Sequence, residues 1–474
     1  MLSPMPLPPG PRRPALLQTW AWIRRPCELM DSCAARFGRI FTIRFVRGRR
    51  FVLVADPDIV KEVFAAPPAT FDSGNKSFEA FAGPASLFVL AGPRHGRHRR
   101  LLTPPFVGKR MRAYGGLLID ITRRALATEP AGRPFRGHEL FGRVALEAIF
   151  RAVFGMEEAE KLEAIAALVA RLTGPWTALL AFLPGLHVDL GPWSPWGRFL
   201  RLKRAFDDIL HAEIRRARAD ALARRPREDI LAKLVEAKVD ARSETESPLG
   251  DDELRDELTT LLIAGHETTA VSLAWAARRI LGDPEVEARA RAEIAGATGG
   301  APLAAEHLAR LPYLEACCEE TLRIQPIVPI APRLLAAPLR VGPHDLEPGT
   351  SVAPCMYLIH RDPALYPDPL RFRPERFQDE AARPPPHRFF PFGGGFRLCI
   401  GHAFAIYEMK AILATLLAEA SPALAPGAPP ADAYERKGIL VAPRGGPPLV
   451  LRAPSIRTPP LAAGEPHLTA KPRP

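Results

Sequence analysis

Cys399 stands in the loop FGGGFRLCIG, from Phe392 to Gly401, with Arg397 two residues before it and Gly401 two residues after it. A thiolate that ligates iron needs the metal's plane close to the backbone. Gly393, Gly394 and Gly395 remove the Cβ atoms that would hold it away. Backbone N–H groups in such a turn point at the sulfur and draw charge from it, Phe392 shields it from water, and Arg397 offers a cation to an anionic edge of the cofactor. The competing reading is a buried free cysteine beside a flexible loop. The spacing favours the ligand.

A second polar cluster, Ala264-Gly265-His266-Glu267-Thr268-Thr269, lies inside an apolar stretch that runs from Leu258 to Trp275. Asp251 and Asp252 at one end, Arg278 and Arg279 at the other, and Gly282 with Pro284 as a stop, predict one long buried helix. Ala264 and Thr268 share a face at i, i+4: the alanine leaves room for a flat cofactor and the hydroxyl sits one turn along. Glu267 is adjacent. Back-bonding by Thr268, together with Gly265, is expected to widen the helix locally and admit water, making a groove for dioxygen. Taken alone, a self-bonded threonine and a solvated glutamate would be the plainer account. The cysteine loop reverses that preference.

The loop resembles the haem-binding signature F-x-x-G-x-R-x-C-x-G of the cytochrome P450 superfamily, with every fixed position filled, and Ala405 and Glu408 extend the likeness. The resemblance implies haem b with Cys399 as proximal ligand and Ala264 beside the ring, and Glu267 and Thr268 as the pair relaying protons to the oxygen-activating centre. It further implies an ionic triad of Glu320, Arg323 and Arg376, the last in Phe372-Arg373-Pro374-Glu375-Arg376-Phe377, holding the cysteine loop. His95 and Arg99, at i, i+4 on one helix face, and Arg333 are candidates for the propionates. These segments follow the family's order from near residue 90 to near residue 410. The implied activity is monooxygenation of an apolar small molecule, with a peroxide-driven peroxygenase, an isomerase and a haem sensor or carrier as alternatives. Substrate contacts would fall at Phe71 to Leu90, Leu172 to Leu200, Ile327 to Ile330 and around Ile439, and the run from His95 to Gly115 suggests fatty acids, alkanes or terpenes. Arg110 or Arg112 is a candidate anchor for a substrate carboxylate.

The positioning scaffold is expected to be mainly α with small β-sheets: one large P450-type domain over 16–452, a proline-rich segment 1–15 and a disordered tail 453–474. The chain has 474 residues, 47% of them hydrophobic, enough for a substantial core. Helical periodicity covers Met156 to Leu172 and Arg201 to Ala223, and a helix opens at Pro312 and ends before Pro326. Strands are expected at Ile40 to Phe45 and Phe51 to Val54, and near Arg340-Val341 and Ser351-Val352. Six cysteines without paired or zinc-like spacing fit a reducing, cytoplasmic setting. Leu16 to Ile23 is too short to span a membrane; it is expected to pack as an amphipathic helix in preference to resting on a membrane surface.

The net charge of +12 does not imply nucleic acid, because no aromatic-interleaved basic stripe accompanies it. Arg94, Arg97, Arg99, Arg100, Lys109, Arg110 and Arg112 instead form a local basic patch. By the resemblance it would dock a ferredoxin or flavodoxin, supplied by its reductase, on an otherwise monomeric protein.

Overall fold

A computed structural model describes residues 7–452 apart from 75–77, 157, 173, 175–179, 181–186, 228, 237–247, 380 and 382. The chain is mainly helical with small sheets. Its axis is the helix Asp251–Leu281, which begins and ends at the predicted signals: Glu253 accepts the Gly250 N–H at 3.1 Å, and Arg278 and Arg279 fill the last turn. Helix Gly137–Phe154 packs along it, and the buried Trp275 is fixed by donating to the Val441 carbonyl at 2.9 Å. Helices Pro312–Ile324 and His402–Glu419 close the other side.

The principal sheet has five strands in the order Ile40–Arg44, Arg50–Val54, Ser351–Pro354, Arg333–Leu335 and Phe71–Asp72. The short strand Arg333–Leu335 escaped the sequence reading because three residues carry no period. It is what positions Arg333. Strands Tyr434–Lys437 and Leu440–Pro443 form a hairpin, tied to the core where Val441 donates to the Ile327 carbonyl at 2.9 Å.

The helix expected over Met156 to Leu172 spans Ala159–Leu172, and that over Arg201 to Ala223 starts earlier, spanning Pro195–Leu222, because Pro195 and the Ser194 cap open it. Part of the stretch Leu172 to Leu200, and the whole tail 453–474, lie outside the described residues.

One expectation is corrected here. The helix Ala15–Arg24 forms, but only part of its apolar content packs: Trp22 meets Phe45 edge-on with ring centroids 5.6 Å apart, while Leu16, Leu17, Trp20 and Ile23 face outward. The most deeply buried residue of the helix is Gln18, which bonds to backbone.

Candidate functional site

The cysteine loop is held by its own backbone. Cys399 N–H donates to the Phe392 carbonyl at 3.1 Å and Gly393 N–H to Phe390 at 2.9 Å, with a short 3-10 turn over Gly395–Arg397 between them. Gly393 has φ +72°, left-handed geometry that favours glycine. The reason for glycine at 394 and 395 differs from the one the sequence suggested. A Cβ at either would lie 2.4 Å from Phe64, so these positions admit a neighbouring helix as well as any cofactor. Cys399 is the one exposed cysteine of the six. Surrounding protein nonetheless raises its thiol, while the Gly401 N–H and the Arg99 charge pull it down. A group that is open to small probes yet desolvated faces an interior cleft. The hydrogen bond from Gly401 is the backbone-to-sulfur contact that the loop's spacing required. Phe392 packs beside His402, with ring centroids 6.2 Å apart.

Four basic side chains from three segments gather near the loop. His95 and Arg99 come from helix Gly92–Leu102, Arg333 from its strand, and Arg397 from the loop itself. Burial lowers His95 to about 3, and Arg397, Arg99 and Arg333 push it the same way. Burial also lowers Arg333 to about 10, with Arg397 adding to it, and lowers Arg397 to about 10 against the pull of Asp72. Three arginines repelling one another in a desolvated place, beside a neutral His95 with an N–H to donate, make a receptor for an anion. Arg333 donates to the Gly394 carbonyl at 3.1 Å and lies over the Phe396 ring, against which His95 sits edge-on at 5.7 Å. Arg397 donates to the carbonyls of Leu87, at 2.9 Å, and Leu90.

The long helix has a window. Residues 256–262 and 269–280 are buried, but the six residues from Ile263 to Thr268 each retain accessible surface. The helix runs unbroken through this cluster, from Asp251 to Leu281. Gly265 serves packing: a Cβ there would meet Ile149 Cδ1 at 3.0 Å. Thr268 Oγ1 donates to the Ala264 carbonyl at 2.6 Å, linking the two residues that share the face. Glu267 contacts His138 Nε2 at 3.2 Å and Lys437 Nζ at 3.7 Å, and its carboxylate is 35% exposed. Burial opposes its ionisation, but the hydrogen bond from His138, with the Lys437 ammonium nearby, outweighs that and lowers its pKa.

Glu320, Arg323 and Arg376 meet in the interior. Arg323, fully buried, donates Nε and Nη2 to the two carboxylate oxygens of Glu320 at 2.6 and 2.7 Å, and gives further hydrogen bonds to the carbonyls of His360, at 2.6 Å, and Pro369, at 2.9 Å. Arg376 Nε lies 3.4 Å from Glu320, which also accepts the Arg373 N–H at 2.9 Å. Helix Pro312–Ile324 is thereby bonded to the meander that leads into the cysteine loop.

A family model for cytochrome P450 matches residues 8–449. The chain belongs to the cytochrome P450 family. A Mycobacterium tuberculosis protein named cytochrome P450 135B1 is 35% identical over 421 residues, covering 88% of this chain and 85% of the relative. Another from the same species, named cytochrome P450 138, is 35% identical over 415 residues, covering 87% and 89%. Two solved P450 structures share the fold. One is a cyanobacterial cytochrome P450, CYP120A1, with retinoic acid bound (TM-score 0.80, 24% identity, 95% of this chain and 99% of that one); the other is the cytochrome P450DA heme domain (TM-score 0.82, 22% identity, 95% and 99%). As a P450, the chain is a monooxygenase enzyme whose cofactor is haem. An accessible cysteine beside the half-buried guanidinium groups of Arg99, Arg333 and Arg397 has the donor chemistry that haem needs. No helix among the described residues is long and apolar enough to cross a membrane.

Two features of this P450 had no signal in the sequence. Asp256, Glu257 and Thr260, consecutive turns of the long helix, latch the loop at residues 83–90. Asp256 accepts the Ala85 N–H at 2.9 Å, Glu257 the Leu87 N–H at 3.2 Å, and the Ser86 and Thr260 hydroxyls bond at 2.7 Å. His98 backs Glu257 at 2.7 Å. The second is Glu408, which the resemblance marked without giving it an environment. It is buried, with Thr269 Oγ1 at 3.4 Å, and burial raises it to about 8.

The folded state therefore holds the Glu408 proton more tightly than the unfolded chain does. Between pH 4.5 and 8 this group makes stability fall as pH rises, by about 1.4 kcal/mol per unit at most. Glu408→Gln is expected to remove that slope and to unfold at higher denaturant than wild type at pH 8. Equal midpoints for both proteins across that range would contradict the assignment.

Proposed function

We propose that the enzyme inserts one oxygen atom of dioxygen into a C–H bond of an apolar small molecule of fatty-acid or terpenoid type, with electrons from a separate ferredoxin or flavodoxin and its reductase. The observation that carries the reading is the half-open window Ile263–Thr268, bearing an acid and an alcohol in an otherwise sealed helix. Haem, when bound, supplies the site at which dioxygen is reduced. Cys399 would hold its iron as thiolate, His95, Arg99, Arg333 and Arg397 its propionates, and Ala264 would leave room for the ring. The triad of Glu320, Arg323 and Arg376 acts by fixing the loop.

Thr268 donates its hydroxyl proton to Ala264, so the lone pairs of Oγ1 are free to accept a hydrogen bond from water or an O–H group in the cleft. Glu267 is kept ionised by His138 and Lys437 and retains solvent contact, so it can take a proton from the surface side and pass it towards Thr268.

Aromatic side chains support an apolar guest. Phe81 lies 4.7 Å from Phe199, which lies 5.0 Å from Trp196, and Phe78 neighbours Phe88, so the loop before helix Gly92–Leu102 and the start of helix Pro195–Leu222 form one aromatic layer. The solved cyanobacterial relative carries retinoic acid, itself a long apolar acid. For the redox partner, Arg94, Arg100 and Arg112 are exposed, and Arg94 and Arg97 contact Glu253 at 3.6 and 3.4 Å. The side chains of Lys109 and Arg110 lie outside the described residues.

Thr268→Ala is expected to consume NADPH and dioxygen while making little product, lowering the product-to-NADPH ratio by roughly an order of magnitude or more, with Thr268→Ser largely restoring it. Myristic acid and limonene are suitable probes. Unchanged coupling in the alanine variant would remove Thr268 from the proton path.

A further inference from the structure

The helix Ala15–Arg24 turns most of its large apolar side chains to solvent. Its inner side carries Trp22 against Phe45 but is otherwise held by polar bonds: Gln18 Nε2 donates to the carbonyls of Pro11 and Arg13 at 3.1 and 2.7 Å, Gln18 Oε1 accepts the Arg44 N–H at 2.9 Å, and Thr19 Oγ1 accepts the Val46 N–H at 3.1 Å. Its outer side is apolar. Leu16, Leu17, Trp20 and Ile23 are 68%, 51%, 60% and 57% exposed, at i, i+1, i+4 and i+7, so they share one face. Val46, in the turn that Thr19 holds, is exposed beside them.

Water is a poor environment for so dense a group of large side chains, and such patches mark an interface. The charge around it identifies the occupant. The first 50 residues contain ten arginines and two acids, a net of +8 out of +12 for the whole chain. Arg12, Arg13, Arg24, Arg25 and Arg47 are exposed on the flanks of the stripe. The two acids are already engaged, Glu28 by the Tyr434 hydroxyl and Asp31 by that of Tyr357 at 2.9 Å. A second copy would bring the same cations to a symmetric contact, and like charges would face each other. The segment 453–474 carries three basic residues and one acid, so it is no better complement. An anionic bilayer satisfies both halves: aliphatic side chains and Trp20 enter the headgroup and acyl boundary, and guanidinium groups meet phosphates.

We propose that helix Ala15–Arg24 and the adjoining turn Val46–Gly48 form a docking face for the surface of an anionic lipid bilayer, lying in the interface and not crossing it. The proposal is independent of the oxygenation chemistry.

The test is flotation of the full-length haem-loaded protein with vesicles of phosphatidylglycerol and phosphatidylcholine, and with vesicles of phosphatidylcholine alone. Wild type is expected to float with the anionic vesicles and to release as salt is raised. Trp20→Ser with Ile23→Ser, and separately Arg24→Glu with Arg25→Glu, are expected to weaken flotation on the order of tenfold. Because these side chains are exposed, circular dichroism and haem absorbance should match wild type. No flotation of wild type, equal flotation of all variants, or equal binding to neutral vesicles would overturn the proposal. So would a concentration-dependent dimer in sedimentation velocity that Trp20→Ser dissolves, because the face would then be an interface between copies.

Discussion

A Cys399→Ser variant is expected to fold as the wild type does and to lose oxygenation to the level of free haem. The side chain faces a cleft and makes no core contact that a hydroxyl would disturb, so its effect on the apoprotein's unfolding should be within about 0.5 kcal/mol. The chemical change is much larger. A serine hydroxyl titrates far above neutral pH and offers iron a weak neutral oxygen, whereas the sulfur is pulled toward thiolate by Arg99 and by the Gly401 N–H. The readout is hydroxylated myristic acid formed with ferredoxin, reductase and NADPH, set beside the thermal unfolding of both apoproteins. Product at the wild-type rate would mean that iron is held elsewhere.

Arg323→Ala is expected to leave little haem-loaded protein to assay. The substitution strands the Glu320 carboxylate in the interior and removes the donors that satisfy the carbonyls of His360 and Pro369. Breaking a buried pair from one side costs about 3–5 kcal/mol, a large share of a total stability of about 5–15 kcal/mol. The effect should be concentrated at the meander and the cysteine loop, because Glu320 also holds Arg373 and Arg376. Glu320→Met combined with Arg323→Met removes both charges and is expected to be the less damaging change, since no ion is left unpaired. Denaturant midpoints and haem content of the two proteins provide the measurement. A single alanine variant with wild-type values would show that the triad is not structural.

The mainly helical class and the long helix were legible because their signals are local. Apolar periodicity, acidic and basic end turns, and a glycine–proline stop identify helix Asp251–Leu281 without reference to the rest of the chain. The cysteine loop was legible for a related reason: its constraints sit within ten residues. What is made by distant segments meeting was not. His138 and Lys437 lie far along the chain from Glu267, and neither residue carries a mark of the contact. Asp256 and Glu257, just past the acidic helix start, carry no mark of their partners, yet they latch a loop. The helix at Ala15–Arg24 was read only in part, because apolar residues are expected to face a core and only Trp22 does so. Here Gln18 and Thr19, bonding to strand and turn backbone, decide which face turns inward. The run of glycines was identified with only part of its reason, since Phe64 crowds two of the three.

The most direct test of the central claim is the carbon-monoxide difference spectrum of the dithionite-reduced wild-type protein. A strongly red-shifted Soret band is predicted, because Cys399 would hold the iron as thiolate and donate charge to it. An unshifted band from protein that holds haem in stoichiometric amount would contradict ligation by Cys399, and with it the proposed route to oxygen insertion.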